Sequence, residues 1–511
     1  MPARKSMVLI TVDCLRADHC GFMGYSRRTT PFLDQLAAQC FVFPTAIVAG
    51  VPTYYSVPAI LASRYPLEFG RELVGLVAGE QNLASAFKQA GYATAFFGAA
   101  NPYVSARFGY DFGFDTFRNF LDDNPTTTSA PITTVSNETG WTRGLNRVLD
   151  HVSHKLGPLG GAYDELYFQY CQRWAAPAPE SLDSLRRFPA ADVIVDQAAA
   201  WLSSIGEVPF FLWLHLMDPH APYYPAEAGQ KLLGENRTTA AQARYSNASW
   251  NRSDLGLRRL RHYRDGIVSL YDSAVCWVDA QIARFVEILR RTELWKNCMF
   301  ALTADHGEEF LEHNGRYHAP SSLAEELIQV PLLLRVPGVE RRELCQSPFS
   351  LLHLAPTLLD AADLPIPGGF QGRSHWTEMR EGKTWSGAAI AESISGCTNP
   401  FRPELRRGHR IVAVRETRYK AVLNFATSTE HFFDLEADPG EQAPWPNDVA
   451  KPERRRLLET ALEHLRKSPR RASEGYLRTR LRDIALNFPQ TAHRTKTTPK
   501  ARASLETEKA E

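Results

Sequence analysis

The segment Met7-Val-Leu-Ile-Thr-Val-Asp-Cys-Leu-Arg-Ala-Asp18 decides how this chain is read. Apolar and β-branched residues run unbroken to Val12, and charged residues begin at once. A short run of this kind reads as a strand buried on both faces, as in a parallel sheet. Two distant segments repeat the pattern. Pro209-Phe-Phe-Leu-Trp-Leu-His-Leu216 leads to Asp218-Pro-His-Ala-Pro-Tyr223, and Cys298-Met-Phe-Ala-Leu-Thr303 leads to Ala304-Asp-His-Gly-Glu-Glu309. In an open α/β sheet, ligands bind just beyond the carboxyl ends of the strands. Polar groups from these three segments are therefore expected to meet at one sheet edge. Asp and His together are ligands for a divalent metal. Asp305 and His306 can converge on one ion only if their strand has already ended, because successive strand residues face opposite ways. Gly307 permits that bend.

Working outward, residues 7–117 alternate apolar runs with helical patterns. Ala93-Thr-Ala-Phe-Phe97 is a further buried strand, and Thr30-Pro31 reads as a helix start with Thr30 as N-cap. The expected fold class is α/β, a large mostly parallel sheet flanked by helices, with a smaller C-terminal α+β subdomain. The expected division is a catalytic domain over 1–375, a subdomain over 376–469 and a basic, disordered tail over 470–511. Residues 118–190 are irregular and read as an insertion over the active-site edge. Strand-like Ile411-Val-Ala-Val-Arg415 and Tyr419-Lys-Ala-Val-Leu423 belong to the subdomain.

Bulk properties exclude little. The chain has 511 residues, 44% hydrophobic and 23% charged, with a formal net charge of +1. That balance gives no argument for nucleic acid. From Lys451 onward, however, 16 Lys and Arg stand against 8 Asp and Glu. This tail is expected to give at most weak, salt-sensitive contact with a polyanion. No apolar stretch reaches the length of a transmembrane segment, and the first strand begins too early for a signal peptide, so the expected location is cytoplasmic. The eight scattered cysteines form no Cys-x-x-Cys pair and imply neither a zinc knuckle nor a disulfide framework.

A fourth piece is Gly50-Val-Pro-Thr53-Tyr-Tyr-Ser56-Val-Pro58-Ala-Ile-Leu-Ala-Ser63, where a hydroxyl residue leads into a helix-like run. A Thr there is ordinarily a cap. As a nucleophile it needs a base or a metal to activate it. Asn101, after the Ala93–Phe97 strand, is a candidate to hydrogen-bond a bound anion, and a turn Asn before Pro102 is the plainer reading. His313, in a Glu-rich loop, reads as solvent-facing.

Taken in order, these strings resemble the sulfatase branch of the alkaline phosphatase superfamily. The resemblance runs through Thr11–His19, Thr30–Leu36, Gly109-Tyr-Asp-Phe-Gly-Phe-Asp-Thr-Phe117, His215–Tyr223, Thr303–Glu309, Glu326-Leu-Ile-Gln-Val-Pro331, Ala355-Pro-Thr-Leu-Leu359 and Phe433-Asp-Leu-Glu-Ala-Asp-Pro-Gly-Glu441, covering roughly residues 7–445. It implies that Asp13, Asp305 and His306 are metal ligands and that Thr53 stands at the nucleophile position as a fourth ligand. It implies anion contact by His220 and a position near the transferred group for His318. Sulfatases carry there a Cys or Ser, within Cys/Ser-x-Pro-x-Arg, that becomes formylglycine. Thr53-Tyr-Tyr-Ser-Val57 lacks both the precursor and the Pro and Arg. A Thr is similar instead to phosphate-handling relatives such as the lipoteichoic acid synthase type of phosphotransferase. Cys14 stands where many arylsulfatases have a second acidic residue, so one metal ion is expected, among Mn, Zn, Ca and Mg.

Three functions follow. The first is a metal-dependent hydrolase or transferase of anionic esters, phosphoester or phosphodiester ahead of others, through Thr53. The second is a sulfuric ester hydrolase with an unmodified nucleophile. The third is a non-catalytic metal-binding pseudoenzyme, against which the intact set Asp13, Asp305, His306 and His220 argues.

Overall fold

The structure, a computed structural model, describes residues 4–70, 73–121, 165–172, 179–234, 237–339, 342–397, 401, 408–446 and 451–467. Its centre is an eight-stranded sheet. The strands run in the order Glu343–Leu344, Phe41–Val42, Leu332–Arg335, Cys298–Ala304, Ser6–Val12, Phe210–Leu216, Ala93–Gly98 and Thr116–Arg118. The last five are mutually parallel, and Leu332–Arg335 runs antiparallel to Cys298–Ala304. Each of the three runs read from sequence is a strand, and Phe210–Leu216 and Cys298–Ala304 are buried at every residue. Burial on both faces is what an unbroken apolar strand requires.

Register sets up the site. Val12 pairs with Leu216 on one side and with Ala304 on the other. Asp13 and Asp305 therefore leave the sheet at the same level, as next neighbours on adjacent strands. One row earlier, Thr11 pairs with both His215 and Thr303.

Helices cover the sheet. The longest, Leu257–Arg291, buries an apolar stripe that includes Leu260, Ile267, Leu270, Tyr271, Val278 and Phe285. It also completes the helix Pro31–Leu36. Thr30 occupies the cap position, but its side chain does not cap. Its hydroxyl accepts from the Gly21 N–H and donates to Asp34 instead. The free N–H groups of Phe32 and Leu33 donate to the Asp279 carboxylate, each at 2.9 Å. The capping function expected of Thr30 thus comes from a residue far along the chain.

The C-terminal region forms an antiparallel four-stranded meander of Ala389–Ile394, Arg410–Arg415, Tyr419–Asn424 and Thr429–Asp434. The helix Pro452–Lys467 packs on it through Leu457, Leu458, Ala461 and Leu465. This matches the expected small C-terminal α+β element. Its first strand reaches back to the loop before Thr53. Glu392 N–H donates to Ala49 O at 2.9 Å, and the Ser393 hydroxyl contacts Val51 O at 2.8 Å and Pro320 O at 2.7 Å. Most of the 118–190 insertion and all of the 470–511 tail lie outside the described residues. All eight cysteines are free thiols, and no helix among the described residues is long and apolar enough to cross a membrane.

Candidate active site

Four segments deliver their polar ends to one point at the carboxyl edge of the sheet. Asp13, Asp305 and His306 are fully buried, and Thr53 is 3% exposed. Ligand-capable atoms of Asp13, Asp305 and His306 lie within 4.8 Å of one another. His306 Nε2 stands 3.7 Å from Asp13 Oδ1, 3.6 Å from Asp305 Oδ2 and 3.2 Å from Thr53 Oγ1. His306 Nδ1 lies 2.8 Å from Gly307 O. A carbonyl can only accept, so that nitrogen carries the proton and Nε2 turns a lone pair to the centre. Thr53 opens the helix Thr53–Ala62, all of whose residues are buried. The positive end of that helix dipole points to the same place.

The electrostatics of the centre suit a cation. Two carboxylates face each other away from water, and Asp305 Oδ2 has no hydrogen-bond partner among the described residues. Burial raises the Asp305 carboxyl above its ordinary value, and the charge of Asp13 pushes the same way. Burial acts on Asp13 too, but the histidines around it, His220 first, outweigh it and hold that carboxyl well below the usual range. Two carboxylates, one imidazole lone pair and a hydroxyl fit a single divalent ion, which would satisfy the orphaned Asp305 oxygen.

A second layer fixes the first. Asn101 Nδ2 donates to Asp13 Oδ2 at 2.8 Å, while its carbonyl oxygen accepts from Tyr103 N–H at 2.9 Å. Both ends of this amide are occupied. The contact with Tyr103 N–H is that of the turn Asn read from sequence, and the other end of the side chain meets Asp13, a candidate ligand. His215 does related work. Trp213 Nε1 donates to Thr11 Oγ1, which lies 2.8 Å from His215 Nδ1, and His215 Nε2 faces Asp13 Oδ2 at 3.5 Å. Sequence reasoning gave His215 no role. Its one signal was to be the sole ionisable residue in the buried strand Phe210–Leu216.

The outer wall holds His220 and His318. Their rings are 5.1 Å apart, and His318 lies 4.5 Å from the ring of His306. His318 Nδ1 is 3.1 Å from Glu308 Oε1, and the Tyr223 hydroxyl donates to Glu308 Oε2 at 3.0 Å. Burial works against the Glu308 charge, but His318, His220 and His306 hold its carboxyl below the ordinary range. Glu308 is a second residue given no role from sequence, although it stands inside the quoted string Thr303–Glu309. Cys14 lies at the seam, with Sγ 3.1 Å from Asp13 Oδ1 and 3.4 Å from His318 Nδ1. Burial and the carboxylates of Glu308, Asp13 and Asp305 push its thiol far up, so it remains neutral. Its position groups it with His306 and His318, and with Asp13 and His220, as ligand-capable atoms within 4.8 Å of one another.

Comparison with known proteins follows the same lines. The Sulfatase family model matches residues 5–364, and that of the N-sulphoglucosamine sulphohydrolase C-terminal domain matches residues 315–468. An arylsulfatase of Clostridium perfringens is 24% identical over 475 residues, covering 86% of this chain and 89% of its own. An ulvan-active sulfatase of Formosa agariphila is 23% identical over 462 residues, covering 88% and 78%. Arylsulfatase K of Canis lupus familiaris matches over 183 residues at 26% identity, about a third of each chain. Among solved structures, a phosphonate monoester hydrolase from Silicibacter pomeroyi superposes with a TM-score of 0.64 at 19% identity, covering 91% of this chain and 96% of its own. A protein solved with its substrate D-glucosamine-2-N,6-O-disulfate gives 0.65 at 18% identity, covering 91% and 98%. The family match spans well over half the chain, and this protein belongs to the sulfatase family of the alkaline phosphatase superfamily.

Proposed function

We propose that this protein hydrolyses anionic esters, with a sulfate ester as its first substrate class and the unmodified Thr53 hydroxyl as nucleophile. The observation that carries the reading is the convergence of Thr53 Oγ1, Asp13, Asp305 and His306 Nε2 on one buried point. The two relatives matched over most of their length are both sulfatases by name. They put the sulfate ester ahead of the phosphoester that the Thr at position 53 had favoured from sequence.

Asp13, Asp305, His306 and the Thr53 hydroxyl would hold one divalent ion. Such an ion supplies positive charge that eases loss of the hydroxyl proton and offsets charge on the ester oxygens. The chain's own groups supply the rest. Thr53 Oγ1 gives its proton to water and attacks sulfur, an O–S bond to Thr53 forms, and the bond from sulfur to the alcohol oxygen breaks. His318, whose Nδ1 lies against the Glu308 carboxylate, is placed to hold a proton and pass it to the departing alcohol. His220 offsets charge on the remaining oxygens. Water then cleaves the Thr53 ester and releases sulfate. Asn101 and His215 keep Asp13 aimed inward.

One observation favours a second reading, a phosphoester or phosphodiester substrate. Position 53 offers no Cys or Ser from which formylglycine could be made, and phosphorus accepts an in-line oxygen nucleophile. The test is a panel of nitrophenyl sulfate, phosphate, phosphodiester and phosphonate esters with Mn, Zn, Ca or Mg added. Sulfate turnover that is lost in Thr53→Ala supports the proposal. Turnover of phosphorus esters alone replaces it with the second reading, and wild-type rates in Thr53→Ala remove the nucleophile assignment.

A further inference from the structure

Outside the active site, a second group of ligand-capable side chains gathers below the loop that carries His318. A short hairpin pairs Glu309–Phe310 with Arg316–Tyr317. Its turn wraps around the Glu309 carboxylate, which accepts from His313 N–H at 3.2 Å and from Gly315 N–H at 2.9 Å. The turn is tight, with Leu311 at φ 72° and Asn314 at φ 65°. It directs the His313 ring at Glu326, on the short helix Glu325–Ile328. From the C-terminal region comes Glu441, whose carboxylate accepts from Glu325 N–H at 2.6 Å.

His313 Nε2 and carboxylate oxygens of Glu326 and Glu441 all lie within 4.8 Å of one another. Nε2 and Glu326 Oε1 face each other as an ion pair at 3.3 Å, without hydrogen-bond alignment. The Glu326 side chain is only 8% exposed. A buried carboxylate held by one long contact is poorly compensated. The two basic side chains nearby do not relieve it. Lys420 is spent on Glu325 and Glu441, at 3.2 and 2.7 Å, and Arg415 on Glu325 at 3.1 Å. Four carboxylates, those of Glu309, Glu325, Glu326 and Glu441, therefore share two permanent positive charges and one imidazole.

We infer that His313, Glu326 and Glu441 form a second divalent-metal site, distinct from the candidate catalytic centre. One imidazole nitrogen with two carboxylate oxygens is the donor set of Zn(II) or Mn(II) rather than of Mg(II). The ion there ties the hairpin before His318 to a residue of the C-terminal region, so it positions the outer wall of the active site from a distance.

The experiment is a metal count on full-length protein. The protein is stripped with chelator, dialysed against Zn(II) and analysed for bound metal. The wild type is expected to hold about two zinc ions per chain. His313→Gln and Glu326→Gln are each expected to hold about one fewer, while keeping the ion lost in Asp305→Ala. Zinc is also expected to raise the melting temperature of Asp305→Ala, and that rise should vanish when His313→Gln is added. If Glu326→Gln fails to fold, the half-exposed His313→Gln still reads the site. A wild-type count of about one, or the same count in His313→Gln as in wild type, overturns the inference. His313 and Glu326 would then be a simple imidazolium–carboxylate pair.

Discussion

Asp305 and Glu392 are both fully buried carboxylates, and both lie close to the segment that ends at Thr53. Their surroundings differ in kind. Glu392, on the first strand of the C-terminal sheet, meets Arg410 at 3.3 Å, His464 at 3.1 Å and the Leu67 N–H at 3.0 Å. Burial alone would raise its carboxyl, but these groups hold it down at about 2. Asp305 meets another carboxylate and keeps an oxygen without a partner. A protein that balances one buried charge with its own cations and leaves the other unbalanced is using them differently. Glu392 closes a structural joint, and the surroundings of Asp305 suit a carboxylate that holds a cation.

The largest expected effect tests the second half of that contrast. Thr53→Ala should lower kcat by about 10⁴-fold or more, as removal of a nucleophile does, with an unchanged melting temperature. Thr53→Ser should keep part of the rate. Mass spectrometry after a slow substrate should find the transferred group on the Thr53 peptide, and an unmodified peptide with Thr53→Ala at full rate would break the assignment.

Next comes the cation itself. Chelation should abolish turnover, and added divalent metal should restore it. In metal-free protein, Asp305→Asn removes the repulsion with Asp13, so its melting temperature should equal or exceed that of metal-free wild type. Added metal should then stabilise the wild type and leave Asp305→Asn unchanged. A metal-free Asp305→Asn that melts well below wild type would show Asp305 to be structural, like Glu392.

Glu392 should behave in the opposite way. Glu392→Gln removes the buried carboxylate that Arg410 and His464 face and should cost about 3–5 kcal/mol of stability in denaturant unfolding, with or without metal. Because the folded carboxyl is depressed, its contribution is full above the ordinary value near 4.5 and is lost as pH falls toward about 2. Wild-type stability should fall across that window more steeply than that of Glu392→Gln, and parallel pH curves would refute the ion-pair account. The smallest effect is expected from ending the chain at 470. Folding stability should change by no more than about 0.5 kcal/mol, and a larger loss would mean that the basic tail belongs to the core.

The contrast also explains what the sequence disclosed. Asp13, Asp305 and His306 were legible because each ends an apolar strand, and strand ends in an α/β sheet converge whatever lies between them. Thr53 was legible from an ordered set of short strings. Asn101, His215 and Glu308 were not, since their roles depend on which residue sits beside which across strands and loops. His215 serves Asp13 only because Thr11 is its partner in register. Asp279 caps a helix some 250 positions away, which no local pattern around Thr30 reveals. The phosphoester preference failed to lead for a related reason. It weighed one side chain, whereas two relatives that match most of the chain are sulfatases by name.

Ser393 touches the carbonyls of both Val51 and Pro320, one just before the candidate nucleophile and one just after His318. During synthesis, a ribosome that has delivered 375 residues has made Asp13, Thr53, Asp305 and His306 but not the clasp between these two loops. The emerging chain should thus stay inert until the strand Ala389–Ile394 is in place, and a fragment ending at 375 should be inactive even when supplied with metal.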